Sequence, residues 1–393
     1  MISLLSRIFI KDRENVENPA VRRAYGVLCG SVGIFLNLIL FALTALAGAI
    51  TGSIAVTADA FNNLSDAGSS VITLLGFRLA AQKPHQDHPY GHGRYEYISG
   101  LIVSLAILMM GFDLAKSSVE KIFHPEAVLF SWLSIGILVS SIAVKLYMAL
   151  YNRAVGRKID SVSMAATATD SLSDMCATSV VLISTLISHF CGVNIDAWAG
   201  AAVSLLILWA GFGATRDTIS PLLGKAPEPE FVHKIATIVE SYPEVVGMHD
   251  LMVHDYGAGR VMISLHAEVP ANGDIMALHD VIDTIERRLQ EELNCSATIH
   301  MDPICTDDAQ ITATRAQILQ RIHAELGEKL SIHDFRMVPG PTHTNVIFDV
   351  VVPYEFSMSD DEVRAAVSKL VRELEGGDYF AVLNIDHPVA TEA

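Results

Sequence analysis

Four polar side chains stand out because they lie within long apolar stretches of the sequence. Asn62 and Asp66 are four residues apart, and so are Asp170 and Asp174. Side chains at this spacing share one face of a helix, and ionisable residues at membrane depth are costly and usually functional. Two such faces turned toward each other would offer three carboxylates and one amide oxygen to a divalent metal. Asp59, seven residues before Asp66, is a further candidate ligand.

The helices that must carry these residues are predicted from apolar stretches in the first half of the chain. A membrane span needs about 20 predominantly apolar residues. We predict six spans, at about 25–48, 55–80, 97–117, 127–151, 162–188 and 195–214. Apolar residues make up 51% of the 393 residues and charged residues only 18%, which excludes a disordered or disulfide-rich chain. Asn37 and Lys145 also lie within predicted spans, and we attribute them to packing and to snorkelling.

Basic residues in the loops predict the orientation of the spans. Lys and Arg occur in the N-terminal tail and in the loops at 81–96 and 152–161, whereas the connections near 49–54 and 189–194 have none. The positive-inside rule therefore places both termini in the cytoplasm. We predict an integral protein of a bacterial inner membrane.

The second half of the chain is acidic and rich in histidine. Residues 226–393 contain 29 Asp and Glu against 11 Lys and Arg, together with 10 of the 15 His. This negative charge argues against nucleic acid as a partner. A histidine-rich acidic region beside an apolar one instead suggests metal cations as partners.

The same order of elements is predicted twice in this acidic half. Helix, strand, strand, helix and strand follow one another, which is typical of an α+β domain of the ferredoxin-like kind, and the order then recurs. His249 matches His333 at an offset of 84 residues, and Pro270 matches Pro353 at an offset of 83. A nearly constant offset with a matching element order indicates a tandem duplication.

These patterns divide the chain into four parts. We predict a cytosolic tail at 1–24, a six-helix transmembrane domain at 25–225, a ferredoxin-like cytosolic domain at 226–305 and a second ferredoxin-like repeat at 306–393. The sequence has no Walker A motif and no convincing nucleophile–base pair, so we predict a secondary transporter and not an enzyme.

In these features the sequence resembles the cation diffusion facilitators. The resemblance covers about residues 20–305. It depends on the six spans, the paired motifs, the HPYGHGRYEY loop after the second span and a cytosolic domain that ends in HMDP. It implies a homodimer in the lipid membrane that exports a divalent metal from the cytoplasm in exchange for protons, without a prosthetic group.

The first residue of each paired motif bears on the choice of metal. Zinc-transporting members of the family commonly carry His at one or both of these positions, where this sequence has Asn62 and Asp170. Imidazole suits Zn²⁺, whereas carboxylate and amide oxygens suit Mn²⁺, and the oxygen quartet resembles the manganese-exporting branch. We predict Mn²⁺ as the cargo, with Zn²⁺, Fe²⁺ and Cd²⁺ as alternatives. A membrane-anchored metal sensor or scaffold that does not transport is the alternative from another class.

The resemblance implies two further metal sites. One lies in the loop between the second and third spans and consists of His85, His88 and His92. The other lies in the first cytosolic domain, where it would hold two protomers together. Its matching positions are His249, His266, His279, His300 and Asp302.

The second repeat is predicted to have lost most of these ligands. It keeps His333 and His387, but Ile347 or Phe348 falls near the position of His266, and His279 has no clear counterpart. We expect this repeat to be an added dimerisation or partner surface, a scaffold without metal.

Overall fold

The chain folds into two compact units. The structure is a computed structural model, and it describes residues 2–16, 18–51, 54–124, 131–191, 193, 195–257, 259–305, 307–375 and 377–387. The first unit comprises Met1–Lys225 and Tyr256–Gly259, and the second comprises Ala226–Asp255 and Arg260–Ala393.

The first unit is built from helices. A short helix, α1 (Ile2–Phe9), is followed by six long ones: α2 (Pro19–Thr51), α3 (Ile54–Ala80), α4 (Tyr95–Phe123), α5 (Trp132–Lys158), α6 (Val162–Cys191) and α7 (Asp196–Leu222). Among the described residues, five of these six are long and apolar enough to cross a membrane. The remaining long helix, α3, has 27 residues and carries the polar NNLSD motif. At about 1.5 Å per residue, a helix of this length exceeds the ~30 Å hydrocarbon core of a bilayer.

The helices extend beyond the apolar stretches from which they were predicted. The fourth span was expected to end near Tyr151, but α5 continues to Lys158. Hydropathy detects the part of a helix that suits lipid and does not register the polar turns that continue it into water. The expected start of that span, at 127–130, lies outside the described residues.

Small residues allow the membrane helices to approach closely. The helices pack in pairs, α2 with α3, α4 with α7 and α5 with α6. A Cβ added to Gly26 would lie 2.2 Å from Cγ of Phe77, and one added to Gly100 would lie 2.9 Å from Cγ2 of Thr218. Such close contacts drive association where lipid removes the hydrophobic effect between helices.

The second unit contains the same fold twice. Its first copy comprises α8 (Pro229–Val239), β1 (Gly247–Asp255), β2 (Val261–Pro270), α9 (Ile275–Leu293) and β3 (Cys295–Ile304). Its second copy comprises α10 (Ala309–Leu326), β4 (Ser331–Pro339), β5 (Thr344–Val351), α11 (Asp360–Arg372) and β6 (Tyr379–Asp386). In each described sheet the middle strand pairs antiparallel with the first strand and parallel with the third. The observed element order is the one predicted for the repeat.

Each copy has its own core and the same irregularity in its first strand. Leu265 and Ile285 are fully buried in the first copy, and Phe348 and Ile322 in the second. The strand register shifts just after His249 in β1 and just after its counterpart in β4. The next residue, Asp250 or Asp334, has a positive φ of 54° or 52°. A bulge of this kind re-aims the neighbouring side chains, and its recurrence agrees with a duplicated origin.

Candidate metal centres

Helices α3 and α6 bring three carboxylates together in the first unit. Asp66 lies on α3, and Asp170 and Asp174 lie on successive turns of α6. One oxygen atom from each carboxylate lies within 4.8 Å of the other two. A hydrogen bond of 2.8 Å between the hydroxyls of Thr73 and Thr167 joins the same two helices close to this site. The spacing of the motifs anticipates this convergence, and the role of the residues as metal ligands stays a prediction.

The other two residues assigned to this site, Asn62 and Asp59, are not among the three clustered carboxylates. Asn62 lies one turn before Asp66 on α3, and its side chain is exposed. The side chain of Asp59 lies outside the described residues. The described part of the site is therefore a cluster of three carboxylates with Asn62 at one turn's distance.

A lysine ammonium lies between two of these carboxylates. Lys145 of α5 is only 2% exposed. Its Nζ donates hydrogen bonds to Oδ2 of Asp174, at 2.8 Å, and to Oδ2 of Asp66. The expectation that Lys145 snorkels is therefore wrong, because its charge is compensated inside the helix bundle and does not need the membrane surface. A lysine inside a predicted span is the signal that could have identified this residue.

The loop between α3 and α4 brings its three histidines together. The rings of His85, His88 and His92 have centroid separations between 4.7 and 5.1 Å, and a ring nitrogen of each lies within 4.8 Å of the others. His85 and His88 exchange backbone hydrogen bonds of 3.2 and 3.0 Å, which closes the loop into a tight turn. The arrangement can supply three imidazole ligands to one metal ion.

The strands of the first copy in the second unit collect another group. His249 is opposite His266 in the β1–β2 pair, and His266 is opposite His300 in the β2–β3 pair. An oxygen of Asp302 lies 3.1 Å from Nε2 of His249 and 2.8 Å from Nδ1 of His266. His300 is largely exposed, and its Nε2 lies 3.3 Å from the other oxygen of Asp302.

The carboxylates around His249 favour the protonated form of its imidazole. Burial lowers the pKa of His249, but the carboxylates of Asp250 and Asp302 outweigh burial, so the pKa is raised overall. The His249 side chain in turn lowers the pKa of Asp250.

His279 does not join this group in a single chain. It lies on α9, where Leu278, Ile282 and Ile285 face the core, and its side chain is exposed, 3.6 Å from an oxygen of Asp283. The helical period is the reason: the residue after a buried Leu278 lies about 100° around the helix and faces outward. The assignment of His279 to a site between two protomers stays a prediction.

The second copy retains more ligands than the sequence indicated. His333 is opposite Asp349 in the β4–β5 pair, as His249 is opposite His266 in the first copy. The equivalent of His266 is therefore Asp349 and not Ile347 or Phe348, and the expectation that this ligand was lost is wrong. His387, which the sequence predicts to be a retained ligand, instead lies 2.8 Å from the carbonyl oxygen of Val352 and 3.2 Å from Oδ2 of Asp360.

Comparison with known proteins identifies the chain. Residues 31–223 match the family model of the cation efflux transmembrane domain, and residues 227–304 match that of the cation efflux protein cytoplasmic domain. The chain belongs to the cation diffusion facilitator family. Members of this family are transporters, so the protein is an integral membrane transporter of cations and not an enzyme. The predicted fold class, a helical membrane domain followed by α+β domains, is confirmed.

This cation diffusion facilitator aligns with several known transporters over most of their length. An uncharacterized transporter of Methanocaldococcus jannaschii is 32% identical over 267 residues, which is 68% of this chain and 94% of that protein. The manganese efflux system protein MneS of Bacillus subtilis is 28% identical over 278 residues, 70% of this chain and 94% of the relative. The cation-efflux pump FieF of Salmonella newport is 27% identical over 254 residues, 64% of this chain and 84% of FieF. The domain matches end at residue 304, before the second repeat.

Proposed function

We propose that the protein exports Mn²⁺ from the cytoplasm in exchange for protons. It acts as a homodimer in a bacterial inner membrane, with both termini in the cytoplasm. The observation that carries this proposal is the convergence of Asp66, Asp170 and Asp174 between two membrane helices. An oxygen-only site suits a hard cation. MneS, which this chain matches over 94% of its length, is a manganese efflux protein.

Asn62 completes the proposed transport site. It lies one helical turn from Asp66, and this spacing puts the two side chains on one face of α3. FieF, a cation-efflux pump, is similar over most of the same length. Zn²⁺, Fe²⁺ and Cd²⁺ are the competing cargoes. The donor atoms favour Mn²⁺ among them, because the described ligands at this site include no imidazole or thiolate.

The histidine groups have separate roles in this proposal. The loop ligands His85, His88 and His92 bind a metal ion in the connection between α3 and α4. The cytosolic ligands His249, His266 and Asp302, with the exposed His279 and His300, serve assembly or regulation. Because exposed imidazoles can reach a second protomer, the exposure of His279 and His300 supports a site between two chains.

Lys145 acts in this mechanism as a resident counter-ion. Three carboxylates and one ammonium leave a formal charge of minus two in the site when no metal is bound. Uncompensated charge within the bilayer is costly, so one divalent cation or two protons would restore neutrality. The ammonium also contacts oxygens that a metal must use, and a metal ion therefore has to displace it from at least one carboxylate. With either two protons or one Mn²⁺ bound, the site is formally neutral, so the protein can change between its inward-open and outward-open forms in both directions.

The first prediction concerns the carboxylates. We expect Asp66→Asn, Asp170→Asn and Asp174→Asn each to lower Mn²⁺ flux at least about tenfold, since loss of outer-shell partners alone costs 10–100-fold at metal sites. Asp217→Asn, at an exposed position of α7, is the matched control and should keep the wild-type rate. The measurement is Mn²⁺ uptake into proteoliposomes, with Zn²⁺, Fe²⁺ and Cd²⁺ as competitors. Wild-type flux in Asp174→Asn would contradict the site.

The second prediction concerns selectivity. We expect Asn62→His to shift the preference from Mn²⁺ toward Zn²⁺, because an imidazole nitrogen replaces an amide oxygen. The ratio of the two initial rates in the same vesicles measures the shift. A variant whose ratio equals that of the wild type would remove Asn62 from the site.

The third prediction tests Lys145. We expect Lys145→Met to lower the KM for Mn²⁺, because the ion no longer has to displace a tethered ammonium from a carboxylate ligand. Lys145→Arg keeps the positive charge and should have a KM closer to that of the wild type. Flux is measured against Mn²⁺ concentration at fixed pH. A KM that rises in Lys145→Met, with the protein folded and inserted, would show that the ammonium assists metal binding.

The fourth prediction concerns the counter-ion. A Mn²⁺ gradient applied to proteoliposomes that contain a pH-sensitive dye should drive two protons per Mn²⁺ in the opposite direction. Because the charges lie in the membrane unit, a chain truncated before residue 310 should keep this ratio as long as it dimerises. Mn²⁺ movement without proton movement would leave a uniporter.

A further inference from the structure

The second repeat has a histidine–carboxylate group of its own. Nε2 of His333 lies 3.4 Å from Oδ2 of Asp386, and one ligand atom each of His333, Asp349 and Asp386 lies within 4.8 Å of the others. The strands impose this convergence. His333 is opposite Asp349 in one strand pair, and Asp386 is opposite Val351, two residues beyond Asp349 on β5.

This group meets the ligands of the first repeat directly. The imidazoles of His249 and His333 are stacked with ring centroids 4.0 Å apart. Asp250 lies beside both rings, with one oxygen 3.4 Å from Nδ1 of His249 and the other 3.9 Å from Nε2 of His333. The backbone N–H of Asp334 also donates a hydrogen bond of 3.3 Å to Oε1 of the Glu268 side chain, which joins the two repeats.

The two stacked imidazoles are buried without the partners that such groups require. Their side chains are only 8% and 9% exposed. Within the described part of the chain, none of the four ring nitrogens makes a hydrogen bond of ordinary geometry, although carboxylate oxygens surround them. Buried polar atoms without such bonds call for an explanation, and an ion is one of the recognised ones.

The separations fit a metal ion between the ligands. In a tetrahedral zinc site with ligands at about 2.0–2.1 Å, neighbouring ligand atoms lie roughly 3.3 Å apart. The distances from Nε2 of His333 to Asp386 and Asp250, 3.4 and 3.9 Å, are close to that value. Zn²⁺ accepts both imidazole nitrogen and carboxylate oxygen as ligands, and a given site of such donors generally binds it more tightly than Mn²⁺.

We propose that His333, Asp349 and Asp386, with Asp250 of the first repeat, bind a divalent metal, of which Zn²⁺ is the best match. This centre is distinct from the group of His249, His266 and Asp302, and Asp250 bridges the two. The ion links the two repeats, because the second repeat supplies three of its ligands and the first repeat supplies the fourth. The proposal does not depend on which ion crosses the membrane.

The experiment counts zinc ions on the full-length protein in detergent. After removal of metal by a chelator, Zn²⁺ is titrated by isothermal calorimetry and bound metal is measured by elemental analysis. We expect the wild type to hold one more Zn²⁺ per chain than His333→Ala or Asp386→Asn. His343→Ala, at an exposed histidine of the same repeat, is the matched control and should keep the wild-type count.

A second readout separates metal binding from simple packing. Zn²⁺ should slow amide exchange in β4–β6 of the wild type and of His343→Ala, but not of Asp386→Asn, which changes one atom of a side chain. Equal zinc counts in all four proteins would overturn the proposal. So would a count that falls in His266→Ala but not in Asp349→Asn, since the metal would then belong to the first repeat alone.

Discussion

Negative charge buried between helices is the constraint on which the membrane unit depends. Asp170 and Asp174 are buried on α6, and Asp66 approaches them from α3. In a bilayer such a cluster persists only if a cation or protons balance it and if the helices cannot separate. Lys145 supplies the first condition from a third helix. Small residues at the helix crossings and the hydroxyl pair between α3 and α6 supply the second.

The same chain keeps two ligand chemistries apart. The membrane cluster consists of oxygen donors, which hold a hard divalent ion without the strong preference for later transition metals that imidazole confers. The groups on the strands and in the α3–α4 loop contain imidazoles. A transported ion must leave its site again, whereas an ion that joins two pieces of protein should stay. The distribution of histidine along the chain is the one that the proposed roles require.

Much of this organisation could be predicted from residue types and spacing. The spans follow from the length of the apolar stretches, the duplication from a nearly constant offset, and the shared face of each paired motif from the helical period. The contacts of Lys145 could not be predicted, since hydropathy does not indicate whether a long side chain turns inward or toward the membrane surface. The ligand at Asp349 was also missed. A shift of one residue in strand register moves a side chain to the opposite face, and the sequence offset between the repeats varies by that much.

The covalent connection between the two repeats has a consequence for how they find each other. Two domains on separate chains meet at the concentration of the protein in its membrane, which varies with expression. Two domains joined by the few residues between β3 and α10 meet at a fixed effective concentration, on the order of millimolar for short linkers. Tethering thus makes contact between the ligand faces of the two copies independent of how many molecules the cell contains, and a weak face-to-face affinity is sufficient to keep them together.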